Sequence, residues 1–281
     1  MNRVQSCPVS KLDKILVATD RSMFSEGALT AAITFAKHCS SKLYVMTVVE
    51  KNPEYETAGA ELLQKETEEA ARYLASLKVR ALEEIPSCET ILRRGDSASR
   101  LIVEEAVQKE IDMIAVGRRG RSGLEKVLLG SAAAKVIGHA PCKVLVVPRA
   151  ARIGYKNILV ATDGSEHANT AGTDAIEVAK RTGSRLMVIS VVPSEDQKGK
   201  ARANVGDIAL AAQQAGVHAE KIALAGKPHE VIVETAKSMG VDLIVMGAYG
   251  KTGLRRLLMG STTEKVIGLA PCAILVAKRA S

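Results

Sequence analysis

One glycine spacing occurs twice in this chain and constrains its fold more than any other feature. Gly117, Gly120, Gly130 and Ser131 are spaced G-x2-G-x9-G-S, and Gly247, Gly250, Gly260 and Ser261 repeat that spacing 130 residues later. In both copies the first glycine ends an apolar run, Met113–Val116 and Leu243–Met246, and the last precedes a helical segment, Ala132–Ile137 and Thr262–Ile267. A strand, a glycine loop and a helix start in that order make a turn suited to holding phosphate. Its duplication assigns the turn to a repeated domain.

The repeat extends to both ends of each half. Lys14 to Ser22 matches Lys156 to Ser165 with one insertion, and Leu43–Val49 matches Leu186–Val192. Both pairs are offset by 143, while residues from Arg100 and Glu230 onward are offset by 130. The difference falls mostly between Val49 and Gly95, which predicts an extended loop over Lys51–Gln64 in the first copy only. Two domains follow, 1–150 and 151–281, joined by the short stretch Arg149–Tyr155. Each has room for a proper core.

Within the first copy, strands and helices alternate. Strands are predicted at Ile15–Thr19, Leu43–Val49, Glu89–Leu92, Met113–Val116 and Lys143–Val147. Helices are predicted at Ser25–Cys39, where apolar residues recur at helical intervals, at Glu61–Arg80, and at Ser97–Lys109, capped by Asp96 or Ser97. This order gives an α/β fold: two tandem copies of a five-stranded parallel sheet with helices on both faces. The last strand of each copy, Lys143–Val147 and Ala273–Ala277, is apolar and would be a sheet edge open to pairing.

Composition limits the ligand class. The net charge of +8 suits an anionic ligand. With no Trp, two Phe and five Tyr, the chain lacks the stacking faces of a nucleic-acid binder. No apolar run is long enough to span a bilayer and the start has no signal-peptide core, so a soluble cytoplasmic protein is expected. Cys7, Cys39, Cys88, Cys142 and Cys272 form no C-x-x-C pair, which argues against a disulfide scaffold or zinc site. His38, His139, His167, His218 and His229 show no ligand spacing and do not recur between copies. They read as surface or helix-end residues, with His139 and His167 near the predicted pocket segments.

In such a sheet, ligands bind beyond the carboxyl ends of the strands. Asp20 or Asp163 follows the first strand there, Val48–Val49 or Val191–Val192 ends the second, and the glycine loop follows the fourth. Glycines let main-chain N–H groups approach a phosphate, and Ser131 or Ser261 adds a hydroxyl. The dinucleotide and Walker A fingerprints are both absent. Arg118, Arg119 and Arg121 of copy one correspond in sequence to Ala248, Tyr249 and Lys251 of copy two. Those arginines would clamp phosphate or point to solvent.

The glycine spacing, the Ile15–Asp20 strand and the terminal A-P-C-x-[VI]-L-V strand together resemble the universal stress protein family over nearly the whole chain, in tandem. The resemblance implies a Rossmann-like, adenine nucleotide alpha hydrolase-like fold of the ATP-binding type. It implies that Asp20 and Asp163 line the nucleoside or metal side, holding Mg²⁺ through water. Val48 and Val191 would offer main chain to adenine, and Gly117 and Gly247 would lie near ribose. Gly120, Gly130, Ser131, Gly250, Gly260 and Ser261 would hold phosphates, with Arg119, Ala132 and Thr262 beside them. The expected ligand is ATP, ADP or AMP, and the expected output is regulatory, in a stress response. The last strands would join the copies as an internal pseudo-dimer, and a dimer of chains is a further expectation. A slow ATPase or phosphotransferase at the same sites, or an interaction scaffold with vestigial sites, stand as alternatives. Only Asp20 and Asp163 offer a base for hydrolysis.

Overall fold

The computed structural model describes residues 12–50, 55–120, 129–151, 153–251 and 259–278, without the side chains of 55–58. The first repeat runs β1 (Lys14–Ala18), α1 (Glu26–Cys39), β2 (Lys42–Glu50), α2 (Tyr55–Leu82), β3 (Cys88–Gly95), α3 (Ala98–Gln108), β4 (Met113–Gly117), α4 (Ser131–His139) and β5 (Lys143–Val147). The second runs β6 (Asn157–Ala161), α5 (Glu166–Thr182), β7 (Arg185–Val192), α6 (Lys198–Gln214), β8 (Ala219–Ala225), α7 (Pro228–Ser238), β9 (Leu243–Gly247), α8 (Ser261–Leu269) and β10 (Ala273–Ala277).

These strands form one ten-stranded sheet in the order β3-β2-β1-β4-β5-β10-β9-β6-β7-β8. All pairs are parallel except β5 with β10, where Val144, Leu145 and Val146 lie antiparallel to Val276, Leu275 and Ile274. Alternate residues of each strand enter two clusters. One packs α1, α2, α5 and α6 on one face, and the other packs α3, α4, α7 and α8 on the opposite face. Burial on both faces explains why the central strands read as unbroken Ile/Val/Leu runs. Each such side chain contributes about 1.5–3 kcal/mol on burial.

Polar contacts cross the seam as well. Arg118 donates from Nη1 to the Ala270 carbonyl at the C-terminus of α8, at 2.9 Å. Lys278 donates from Nζ to the Gly138 carbonyl in the last turn of α4, at 3.2 Å. Both place a cation at the negative end of a helix belonging to the other repeat. Burial pushes the pKa of both cations down. Lys143 on β5 pairs with Asp174 on α5 at 2.7 Å. Burial raises the Asp174 pKa against the opposing pull of Lys143.

Three expectations need correction. Of the stretch expected as an extended loop, 51–54 lie outside the described residues and 55–64 are helical: α2 begins at Tyr55 and spans 28 residues, whereas α6 has 17. Residues 55–64 are mostly good helix formers, and Gly59 does not outweigh them once the helix docks on the sheet. Strand β3 is longer than predicted, because all eight of its residues find partners in β2. Cys39 is disulfide-bonded, a pairing that short-range spacing does not register; Cys88, Cys142 and Cys272 are free thiols. Helix α3 is capped by Ser97, whose side chain accepts from the Arg100 N–H. Among the described residues no helix is long and apolar enough to cross a membrane.

Candidate functional site

A cavity of about 580 Å³ opens at the carboxyl ends of β1, β2 and β4. It brings together Asp20, Val48, Gly117, Arg119, Gly120, Gly130, Ser131 and Ala132. Those residues come from three segments up to about 110 residues apart in the chain. The crevice lies where the strand order reverses between β1 and β4, the usual ligand position of an open α/β sheet.

Local geometry shapes this crevice. The Asp20 carboxylate closes the turn after β1: its Oδ1 accepts from the Ser22 N–H at 3.1 Å and the Ser22 hydroxyl at 2.6 Å. The opposite wall approaches closely. A Cβ at Gly120 would stand 3.0 Å from Asp20 Oδ2, and one at Gly117 would stand 2.7 Å from the Phe24 carbonyl. Any side chain at Gly117 would push the two loops apart. The Gly130 N–H closes the loop by donating to the Arg118 carbonyl at 2.9 Å. Gly130 is the N-cap of α4 and provides no side-chain cap. The first intrahelical bond of α4 is Ala134 N–H to Gly130 at 2.9 Å. Helix geometry therefore leaves the N–H groups of Ser131, Ala132 and Ala133 without an intrahelical acceptor. These three residues line the cavity. The donors offered to an anion are thus one to three positions past Gly130, whose own N–H is used structurally.

The cavity has members that the motifs did not flag: Arg21, Ser25, Glu50, Glu66, Ala98 and Ile102. Glu50 Oε1 accepts from the Ala98 N–H at 2.8 Å and so holds the start of α3. Arg21 forms an ion pair with Glu66 of α2. Arg118, one of the three arginines considered as phosphate clamps, turns away to the seam, while Arg119 lines the cavity. Arg121 lies outside the described residues.

The second repeat assembles its matching residues in the same way. Asp163 Oδ1 accepts from the Ser165 N–H at 3.0 Å, and its Oδ2 from the Lys251 N–H at 2.7 Å. A Cβ at Gly250 would lie 2.6 Å from Asp163 Oδ2, and one at Gly247 would lie 2.8 Å from the His167 main chain. Gly260 donates to the Ala248 carbonyl at 2.9 Å and caps α8, with Ser261 and Thr262 next in line. Val191, like Val48, packs on the α3/α4/α7/α8 side. Thr263 Oγ1 donates to the Gly247 carbonyl at 3.0 Å, a tether that Ala133 does not provide in the first repeat. The Tyr249 ring lies against His167, with centroids 5.4 Å apart. His167, which the sequence puts near the pocket segments, stands beside the glycine loop, in the place that Phe24 holds in the first repeat.

The fit for a metal is narrower. Among the described residues no group of three or more His, Cys, Asp or Glu is placed to hold an ion. A Mg²⁺ ion at Asp20 or Asp163 would take one carboxylate from the protein, with phosphates and water completing its shell.

Comparison with known proteins agrees with this architecture. Residues 11–148 and 154–278 each match the family model described as the universal stress protein family. A universal stress protein of Methanocaldococcus jannaschii is 36% identical over 141 residues, covering 44% of this chain and 83% of that protein. A putative universal stress protein of Staphylococcus haemolyticus is 32% identical over 140 residues, covering 44% and 85%. The crystal structure of a universal stress protein from Archaeoglobus fulgidus superposes with a TM-score of 0.76 at 25% identity, covering 96% of this chain and 99% of that one.

Proposed function

The chain belongs to the universal stress protein family, and from that premise we propose that it binds an adenine nucleotide, ATP first, at the turn after β4 and its counterpart after β9. One observation carries the reading: three distant segments, one of them bearing the family's glycine spacing, converge on a single cavity of about 580 Å³. That volume lies in the range of small-ligand sites. The apolar floor of Met46, Val48, Val116 and Val136 suits a purine, and the rim of Arg119, Ser131 and Ala132 suits phosphate. A hydrogen bond from a main-chain N–H to a charged oxygen contributes about 1.5–3 kcal/mol, and the helix end adds about 0.3–1 kcal/mol.

Nucleotide occupancy would act as a signal. Arg118 ties the first repeat's loop to α8, whose own N-terminus faces the second site. The Asp20 carboxylate holds its turn, an engagement that supports binding over rapid hydrolysis. The test is mass spectrometry of small molecules released from the purified protein, paired with calorimetry using ATP–Mg²⁺. An adenine nucleotide in the extract, or saturable heat, is the expected result. The absence of both nucleotide and heat would refute the reading.

A further inference from the structure

The turns after β1 and β6 share two hydrogen bonds, to the threonine hydroxyl and to the aspartate carboxylate, yet differ at the residue between aspartate and serine. The Arg21 N–H donates to Thr19 Oγ1 at 3.1 Å, and the Gly164 N–H donates to Thr162 Oγ1 at 3.0 Å. Both residues are left-handed, with φ of 67° at Arg21 and 74° at Gly164. The second repeat uses the residue for which this conformation is free of steric cost. The first places a long cationic side chain there, against its backbone preference. Strain of this kind persists where the side chain has work to do.

The side chain's surroundings indicate what that work is. Arg21 and Glu66 both line the cavity, and the Arg21 side chain is only 10% exposed. Among the described lining residues the cations are Arg21 and Arg119, and the anions are Asp20, Glu50 and Glu66. Glu50 is committed to the start of α3. Glu66 is committed to Arg21 and comes from α2, the helix that is longer in this repeat. In the second repeat the space over Gly164 is taken instead by Asn204 Oδ1 and Lys251 Nζ, which would stand 2.3 and 2.9 Å from a Cβ there. An arginine is therefore accommodated in one repeat and excluded in the other.

We infer that Arg21 is the residue by which the first site selects for the phosphate tail of its ligand, with Glu66 holding the guanidinium in place until phosphate displaces it. Guanidinium binds phosphate and carboxylate through the same bidentate geometry, so a ligand phosphate competes directly with Glu66. The inference rests on the nucleotide reading above and adds to it a specificity residue that the second site lacks.

The test is calorimetric titration of the wild-type chain, Arg21→Gly and Glu66→Gln with ATP–Mg²⁺ and, separately, with adenosine, alongside thermal melting. Arg21→Gly should weaken ATP binding by about 10-fold or more while moving adenosine affinity by less than about 2-fold. Its melting midpoint should be no lower than that of the wild type, because glycine relieves the left-handed strain; a purely structural arginine would show the opposite. Glu66→Gln should tighten ATP binding by about 3-fold, because it removes a competing anion. Equal ATP affinity in wild type and Arg21→Gly, or a parallel loss for ATP and adenosine, overturns the inference and leaves nucleotide binding standing. A wild-type chain that binds neither ligand overturns both.

Discussion

Alanine at Gly117 gives the sharpest test of how the crevice is built. Its Cβ would stand 2.7 Å from the Phe24 carbonyl and 3.2 Å from the Arg119 carbonyl. Both are main-chain atoms, so no side-chain rotation relieves the clash. The start of α1 and the glycine loop must separate instead. Overpacking of this kind costs about 1–3 kcal/mol. In a chain of this size a loss of about 2 kcal/mol lowers the melting midpoint by roughly 4–8 °C. Gly117 also lines the cavity, so the displacement should weaken ATP–Mg²⁺ binding by about 10-fold. Gly247→Ala should match the stability loss, since its Cβ meets the His167 main chain at 2.8 Å. The control is Gly206→Ala within α6, where nothing lies within 4 Å of the new Cβ. That change should stabilise the protein by about 0.5–1 kcal/mol, because alanine restricts the unfolded chain and favours helix. Circular dichroism melting of the three variants measures the contrast. A Gly117→Ala variant that melts at or above the wild type, or a Gly206→Ala variant that falls as far, would refute the reasoning.

Two further predictions concern the seam and the thiols. Arg118→Met and Lys278→Met should each destabilise the protein by about 1 kcal/mol, since each removes a half-buried charged donor from a helix C-terminus of the other repeat. Equal melting midpoints would show those contacts to be idle. Burial pushes the Cys142 and Cys272 thiols up to about 12. At pH 8 their thiolate fraction is then about 10⁻⁴, so native alkylation should be slower than in the unfolded chain by about 10³-fold. Fast native labelling would contradict the burial. Because these folded values are raised, their contribution to stability is complete below the ordinary thiol value of 9.0. It is lost as pH climbs from there through the folded value, by up to ~1.4 kcal/mol per pH unit per thiol. Chemical denaturation from pH 8 to 11 should show that decline, and Cys142→Ala with Cys272→Ala should flatten it.

Much of this architecture is legible in the chain because it rests on local patterns. Unbroken apolar runs mark β1, β4 and β9, and the repeated glycines mark both loops. A period of 3.6 marks α1. Other features depend on distance and are not legible. The helical extension of α2 over 55–64 looked like an insertion, because its only visible trait was a change of offset between copies. Nothing near Glu66 in the chain shows that it meets Arg21. Arg21 itself did leave a trace: aligned repeats place it opposite Gly164, and an arginine where a copy has glycine signals a left-handed residue held for a reason. The direction of Arg118 had no such trace, because its acceptor lies 152 residues away.

The most direct measurement is titration of the wild-type chain and Ser131→Asp with ATP–Mg²⁺. Ser131 is exposed and opens α4, where an aspartate suits the helix end and keeps the fold. The same carboxylate would face the nucleotide phosphates at the N–H groups that hold them. Saturable binding by the wild type, weakened about 10–100-fold in Ser131→Asp at an unchanged melting midpoint, is the predicted result. Equal affinity in the two proteins, or no binding by the wild type, would contradict the account.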